Sequence, residues 1–173
     1  MVTLSCQIDF RIEPADSPVS LGLTEALDQE LVRNYPGLPV NGIDVAGFEA
    51  GGGLFVVGYA DGHPAASGAF RRYQDAAEIK RMFVVPAMRG RGMGRRMLQF
   101  LEDQAARRGF ARAVLETGNK QTEAIALYES AGWHPIPPFG PYIGSPISVC
   151  FAKRLAGNVI VPSAQHARRG ENS

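Results

Sequence analysis

Residues 89–94 read Arg-Gly-Arg-Gly-Met-Gly and stand between a strand-like run and a helix-like run. Ahead of them, Glu78-Ile79-Lys80-Arg81-Met82-Phe83-Val84-Val85 reads as a β-strand closed by Pro86. Behind them, residues 95–108 read as an amphipathic helix, with Met97, Leu98, Leu101 and Ala105 on one stripe and Gly109 as the stop. A glycine-rich turn at such a junction exposes backbone N–H groups at the positive end of a helix. That arrangement binds a phosphate or pyrophosphate. Glycines let the backbone approach the anion without obstruction, and the neighbouring arginines add charge.

Two common phosphate loops do not fit. A Walker loop would end in Gly-Lys-Ser/Thr, which is absent. A dinucleotide fingerprint needs a third glycine, but Gly90-x-Gly92 is followed by Arg95 and Gly92-x-Gly94 by Met97. That fingerprint also opens the first βαβ unit of its domain, whereas this turn sits mid-chain. The pattern satisfied is Arg-x-x-Gly-x-Gly, by Arg89, Gly92 and Gly94.

Around this centre the chain reads as alternating strands and helices. Residues 6–13 alternate apolar and polar as a half-buried strand does. Asp16-Ser17-Pro18 signals a helix start, and Leu21, Leu23, Ala26, Leu27 and Leu31 follow at helical spacing. Residues 36–53, rich in Gly and Pro, read as a loop with room for a short helical turn. Residues 54–59 and 65–73 form a hairpin about Asp61-Gly62, leading into the strand at 77–85. Ala113-Val114-Leu115 is a short buried strand reached by a right-handed crossover, and residues 121–131 are the next helix. Five prolines in residues 134–146 predict an ordered loop, and residues 147–155 a last strand. The expected class is α+β, a mixed and mostly antiparallel sheet flanked by helices. One domain spans residues 1–155, and residues 156–173 form a tail, flexible at its end.

These parts together resemble the GNAT family of N-acetyltransferases. The glycine turn matches that family's coenzyme A pyrophosphate loop. The run Asn119, Ala124, Leu127-Tyr128, Gly132-Trp133 matches its segment after the next strand, and the Glu-Ile-x-x-x-x-Val strand with Pro86 matches the one before. The clear resemblance covers roughly residues 54–134. It implies a sheet in which two parallel strands splay apart to admit the cofactor, and direct transfer of an acetyl group from acetyl-CoA to a primary amine in a ternary complex.

The resemblance also assigns residues. Loop groups of Arg89, Gly90, Arg91, Gly92, Met93, Gly94 and Arg95 would hold the pyrophosphate. Backbone groups of Met82, Phe83 and Val84 would pair with the pantetheine arm like an added strand, and an N–H there would polarise the thioester. Asn119 would bond or orient the cofactor, or else cap a helix. Tyr128 would protonate the departing thiolate. Glu78 is the candidate base, since alternation puts Glu78, Lys80, Met82 and Val84 on one face; deprotonation through water stays open. Candidate walls of the acceptor pocket are Tyr35, Arg71 and Tyr142, with Arg72, Tyr73 and the 36–53 and 139–142 loops beside them. An arginine there would suit an acceptor bearing a carboxylate.

Composition excludes less than the motifs include. The 173 residues suit one domain with a sizeable core, and 45% hydrophobic residues argue against wholesale disorder. A net charge of +1 offers no global attraction to nucleic acid or to an anionic membrane. Cys6 and Cys150 make no disulfide framework and lack metal-ligand spacing, so no metal is expected. Without a leader or a membrane-length apolar run, a cytoplasmic protein is the expectation. A homodimer is left open. So are two other functions, an acetyl-CoA sensor without catalysis and a protein N-acetyltransferase.

Overall fold

A two-residue turn sets the register of the first half of the sheet. Asp61 and Gly62 both take left-handed backbone angles, with φ of 48° and 80°. Such a turn matches the natural twist of paired strands. In the computed structural model, which describes residues 6–38 and 45–156, it joins β2 (Leu54–Ala60) to β3 (His63–Tyr73). Leu54 faces Phe70 and Ala60 faces His63 across the ladder. β1 (Ile8–Glu13) adds antiparallel to β2, and β4 (Ala76–Val84) adds antiparallel to β3.

Helix α1 (Pro18–Asn34) follows β1. Its start is fixed by the Ser17 hydroxyl, which accepts from the Ser20 N–H at 3.2 Å, and by Pro18 in the first turn. A short helix α2 (Val45–Ala50) precedes β2, where the sequence left room for a helical turn; residues 39–44 of the expected loop lie outside the described residues. After β4, helix α3 (Met93–Arg107) crosses over to β5 (Arg112–Gly118), which runs parallel to β4. α4 (Thr122–Ser130) then leads to β6 (His134–Ile136) and β7 (Ser148–Arg154). The seven strands lie in the order β1-β2-β3-β4-β5-β7-β6.

Each face of the sheet is buried by a helix. On one, Met93, Met97, Leu98 and Leu101 of α3 pack on Val56, Phe70, Ile79 and Leu115. On the other, Leu23 and Leu27 of α1 pack on Phe55, Val57, Ala69 and Phe83. At about 25 cal/mol per Å² of apolar surface, these two layers are the main source of stability.

Three expectations need correction. Residues 134–146 are not all loop: β6 pairs with β7, His134 opposite Ala152 and Ile136 opposite Cys150. Pro135 is compatible because β6 is an edge strand and one side of its backbone needs no partner. β5 runs from Arg112 to Gly118, well beyond the expected triplet, because β7 pairs with all of it.

The third correction matters most. β4 does not alternate regularly. Arg81 has φ of 56°, and the β3–β4 register shifts so that Ser67 faces Phe83 while Ala69 faces Lys80. This β-bulge puts Lys80 and Arg81 on the same side. Glu78 and Lys80 therefore share the α1 side of the sheet with Phe83, while Met82 and Val84 pack on the α3 side. The Ser67 hydroxyl donates to the Arg81 carbonyl at 3.0 Å, and the buried Arg81 guanidinium pairs with Asp28 of α1. Opposite the bulge, Gly68 leaves room for α3: a Cβ there would stand 2.7 Å from Leu101 Cδ1 and 3.0 Å from Met97 Cγ. Among the described residues no helix is long and apolar enough to cross a membrane. The tail from residue 157 onward lies outside them.

Candidate active site

Parallel pairing between β4 and β5 covers only Ala77–Ile79 against Ala113–Leu115. Beyond it β4 stays on β3 as far as Val84 and β5 stays on β7 as far as Gly118, so the two strands part. A cleft of about 620 Å³ opens there. Its walls are the β4 end at Met82, Phe83 and Val84, the glycine loop, and the α4 face carrying Leu127 and Tyr128.

The loop is shaped by its backbone. Gly90 and Gly92 have φ of 71° and 76°, a region unfavourable to any side chain. Gly92 is the residue before α3, and no side chain caps it, so the first N–H groups of the helix are left open. Met93 is almost wholly buried yet lines the cleft together with Gly90, Gly92, Gly94 and Arg95. Arg89 also lines it, but its guanidinium is engaged: Nε donates to the Val84 carbonyl at 2.9 Å and an Nη pairs with Glu30 of α1 at 2.6 Å. Arg95 reaches the Ser130 hydroxyl on α4. Arg91 and Asn119 are exposed and do not line the cleft; the Asn119 N–H donates to the Ile147 carbonyl at 2.8 Å. Lys120, Gln121 and Thr122 line the cleft instead, which the sequence did not single out.

A smaller compartment of about 180 Å³ adjoins the cleft. Leu27, Met82, Gln121 and Tyr128 border both spaces. Its apolar wall includes Leu31 and Ile147, and its polar lining includes Lys80, Arg81, Glu116, Tyr35 and Tyr142. Of the three residues expected to bound an acceptor pocket, Tyr35 and Tyr142 line this compartment and Arg71 does not. The Tyr35 hydroxyl accepts from the Lys120 N–H at 2.7 Å and lies against Gly118, where any Cβ would collide with it.

A network of charges backs the compartment. Arg71 Nε pairs with Glu78 Oε2 at 2.7 Å, the Tyr142 hydroxyl donates to Glu78 Oε1 at 2.6 Å, and Lys80 Nζ stands 3.3 Å from the same oxygen. Lys80 Nζ also donates to the Tyr142 hydroxyl at 2.7 Å. Burial alone would raise the Glu78 pKa, but Lys80, Tyr142 and Arg71 outweigh it and hold the carboxyl below its usual value. Both Glu78 oxygens are thus committed, and Glu78 borders neither compartment. Such a group is a weak proton acceptor.

Glu116 is the carboxylate that sequence reasoning missed. It lines the small compartment, and the Ser148 hydroxyl donates to its Oε1 at 2.7 Å. Burial pushes its pKa up, with Ser148 and Lys80 opposing. The one available signal was an acidic residue ending the apolar run Ala113-Val114-Leu115. Tyr128 is only 5% exposed, and its pKa is pushed well above the usual phenol value by burial and by the charge of Glu116. Its hydroxyl stays protonated at any physiological pH and can only donate or accept a hydrogen bond.

The family model that matches this sequence is the acetyltransferase (GNAT) family, over residues 24–133. The chain belongs to this family. It is therefore an N-acetyltransferase by descent, and the mixed sheet with its splayed strands is the GNAT fold. An IAA acetyltransferase of Azospirillum brasilense is 36% identical over 135 residues, covering 77% of this chain and 88% of that protein. The structure of a Klebsiella pneumoniae protein described as an acyl-CoA N-acyltransferase superimposes with a TM-score of 0.73 at 26% identity, covering 87% of this chain and 99% of that one. A GNAT acetyltransferase of Elizabethkingia anophelis, solved with acetyl-CoA bound, has a TM-score of 0.63 at 16% identity, covering 86% and 98% of the two chains. At that identity the likeness is one of fold.

The GNAT cleft in this chain suits acetyl-CoA on its own geometry. The β4 edge beyond Ile79 has no strand partner on the β5 side, so it can accept an extended amide chain. Open N–H groups at the α3 start suit a pyrophosphate.

Proposed function

We propose that this GNAT enzyme moves the acetyl group of acetyl-CoA to the primary amine of a small molecule within a ternary complex. One observation carries the reading: two compartments, one fit for the cofactor and one polar and small, meet at Met82 and Tyr128. A junction of this kind lets donor and acceptor react at close range.

Acetyl-CoA supplies an acetyl group activated as a thioester. The loop from Gly90 to Gly94 holds the phosphates, and the free edge at Met82, Phe83 and Val84 aligns the pantetheine arm. A backbone N–H at that edge stabilises charge on the carbonyl oxygen. Glu116 receives the proton that the acceptor ammonium must lose, a role its raised pKa and open position suit better than those of Glu78. The amine nitrogen then bonds to the acetyl carbon as the carbon–sulfur bond breaks, and the departing thiolate, hydrogen-bonded by the Tyr128 hydroxyl, takes the second proton that the nitrogen sheds. Glu78 holds Lys80 and Tyr142 in place as a structural counter-charge.

A sensor that binds acetyl-CoA without catalysis would need neither the small compartment nor Glu116, so the enzyme reading is preferred. Mixing the protein with acetyl-CoA and a library of small amines should release coenzyme A thiol with some of them. Sub-millimolar acetyl-CoA binding without thiol release from any amine would favour the sensor.

A further inference from the structure

We infer that the acceptor is a small α-amino acid whose carboxylate is received by Lys80 while its amine faces Glu116. This rests on the transferase reading above and narrows its substrate class.

The first ground is charge balance. Lys80 and Arg71 bring two positive charges, and Glu78 and Glu116 bring two negative ones. The adjacent Arg81 is matched by Asp28. With both carboxylates ionised the surroundings of the small compartment sum to zero. A simple ammonium would add an unmatched charge to a half-buried space, which is costly. A zwitterion adds none.

The second ground is hydrogen-bonding capacity. An ammonium has three protons to donate. Lys80 Nζ gives one to the Tyr142 hydroxyl at 2.7 Å and a longer one to Glu78 Oε1 at 3.3 Å. Among the described residues it makes no third hydrogen bond, and Lys80 borders the compartment. Its side chain is 17% exposed, so its stem is packed and its head is held in one place. Glu116 shows the same incompleteness: Ser148 bonds Oε1, and no described residue bonds the other oxygen. The two charged groups thus each keep one open valence, of opposite sign, toward one space.

Size is the third ground. The compartment holds about 180 Å³, or roughly six waters at ~30 Å³ each. That suits a molecule of roughly six to nine non-hydrogen atoms. Leu27, Leu31 and Ile147 offer an aliphatic wall for its side chain.

The test compares three matched series in the wild-type enzyme: alanine, valine and leucine, their α-amides, and the amines left by removing the carboxyl group. kcat/KM for the acids should exceed that for the amides by at least tenfold, from loss of one charge-assisted hydrogen bond. The amides have the less basic amines and so more free base at neutral pH, which makes an acid preference the harder result to obtain by accident. Lys80→Met should bring the ratio of kcat/KM for the acids to that for the amides down toward one. If that variant does not fold, the wild-type ratio still decides. Amides or simple amines acetylated as well as the acids would overturn the inference while leaving the acetyltransferase reading intact. Acetyl-CoA binding with no acetylation in any series would overturn both.

Discussion

Gly94 offers the cleanest separation of cofactor binding from folding. Gly90 and Gly92 have left-handed backbones, so a side chain at either costs about 1–2 kcal/mol of strain and confuses the two effects. Gly94 is inside α3 with ordinary helical geometry. A Cβ there would stand 3.4 Å from Leu127 Cδ2 and 3.6 Å from Val84 Cγ2, normal packing distances. The fold should tolerate it, and replacing glycine in a helix by alanine gains up to about 1 kcal/mol. Those same two contacts show that the new carbon bridges the cleft, from the α4 wall to the β4 wall. Gly94→Val would fill the approach to the open N–H groups at the start of α3. Losing two charge-assisted hydrogen bonds at roughly 1.5 kcal/mol each amounts to about 3 kcal/mol, or about 100-fold in affinity. Calorimetry with acetyl-CoA should show that loss, Gly94→Ala should show a smaller one, and both melting temperatures should stay within a few degrees of wild type. An unchanged dissociation constant in folded Gly94→Val would refute the placement of the pyrophosphate.

Other outcomes follow from the same geometry. Tyr128→Phe should lower kcat by roughly 10²–10⁴ while leaving acetyl-CoA affinity nearly unchanged, and an effect under threefold with chemistry rate-limiting would remove it from the reaction. Glu116→Gln should lose most activity and flatten the acid limb of the kcat/KM profile; a profile identical to wild type would exclude Glu116 as the base. The same change should stabilise the protein more at pH 8 than at pH 4, read by thermal melts. A carboxyl whose folded pKa is raised gives stability that is present below the unfolded value and lost as pH rises through the folded one, and glutamine cannot suffer that loss. Gly68→Ala should destabilise by about 1–3 kcal/mol in denaturant titration, because its Cβ meets Leu101 and Met97, both fully buried. An effect within experimental error would mean that α3 can shift freely over the bulge.

Features set by neighbouring residues could be read from the sequence. The Asp61-Gly62 hairpin, the Ser17-Pro18 helix start and the glycine loop each depend on a few adjacent positions, and the structure has all three. Features set by distant partners could not. β6 forms because β7 offers it a free edge, which outweighs the prolines around it. Asn119 fits the family's pattern, yet its backbone bonds Ile147 and its side chain is outside the cleft. Glu116 has no motif to mark it; only the parting of β4 from β5 leaves its carboxylate beside the compartment. The bulge had one overlooked sign, a glycine inside a strand pattern at Gly68.

That bulge explains why the two compartments differ in chemistry. With regular alternation, Glu78 and Lys80 would share a face with Met82 and Val84 and lie under α3, against Met97 and Leu101. Two charges there would have to be desolvated among apolar side chains at a cost of several kcal/mol each. One extra residue at Arg81 changes the phase of the strand. Upstream of it the charged side chains turn toward Tyr142 and Arg71; downstream of it Met82 and Val84 keep the apolar contact with α3. Arg81 fixes the switch point by its ion pair to Asp28, and that pair also fastens α1, whose Leu27 and Leu31 wall the smaller compartment. A single backbone irregularity thus separates a strand end fit for an amide-rich cofactor arm from a strand middle fit for a charged acceptor.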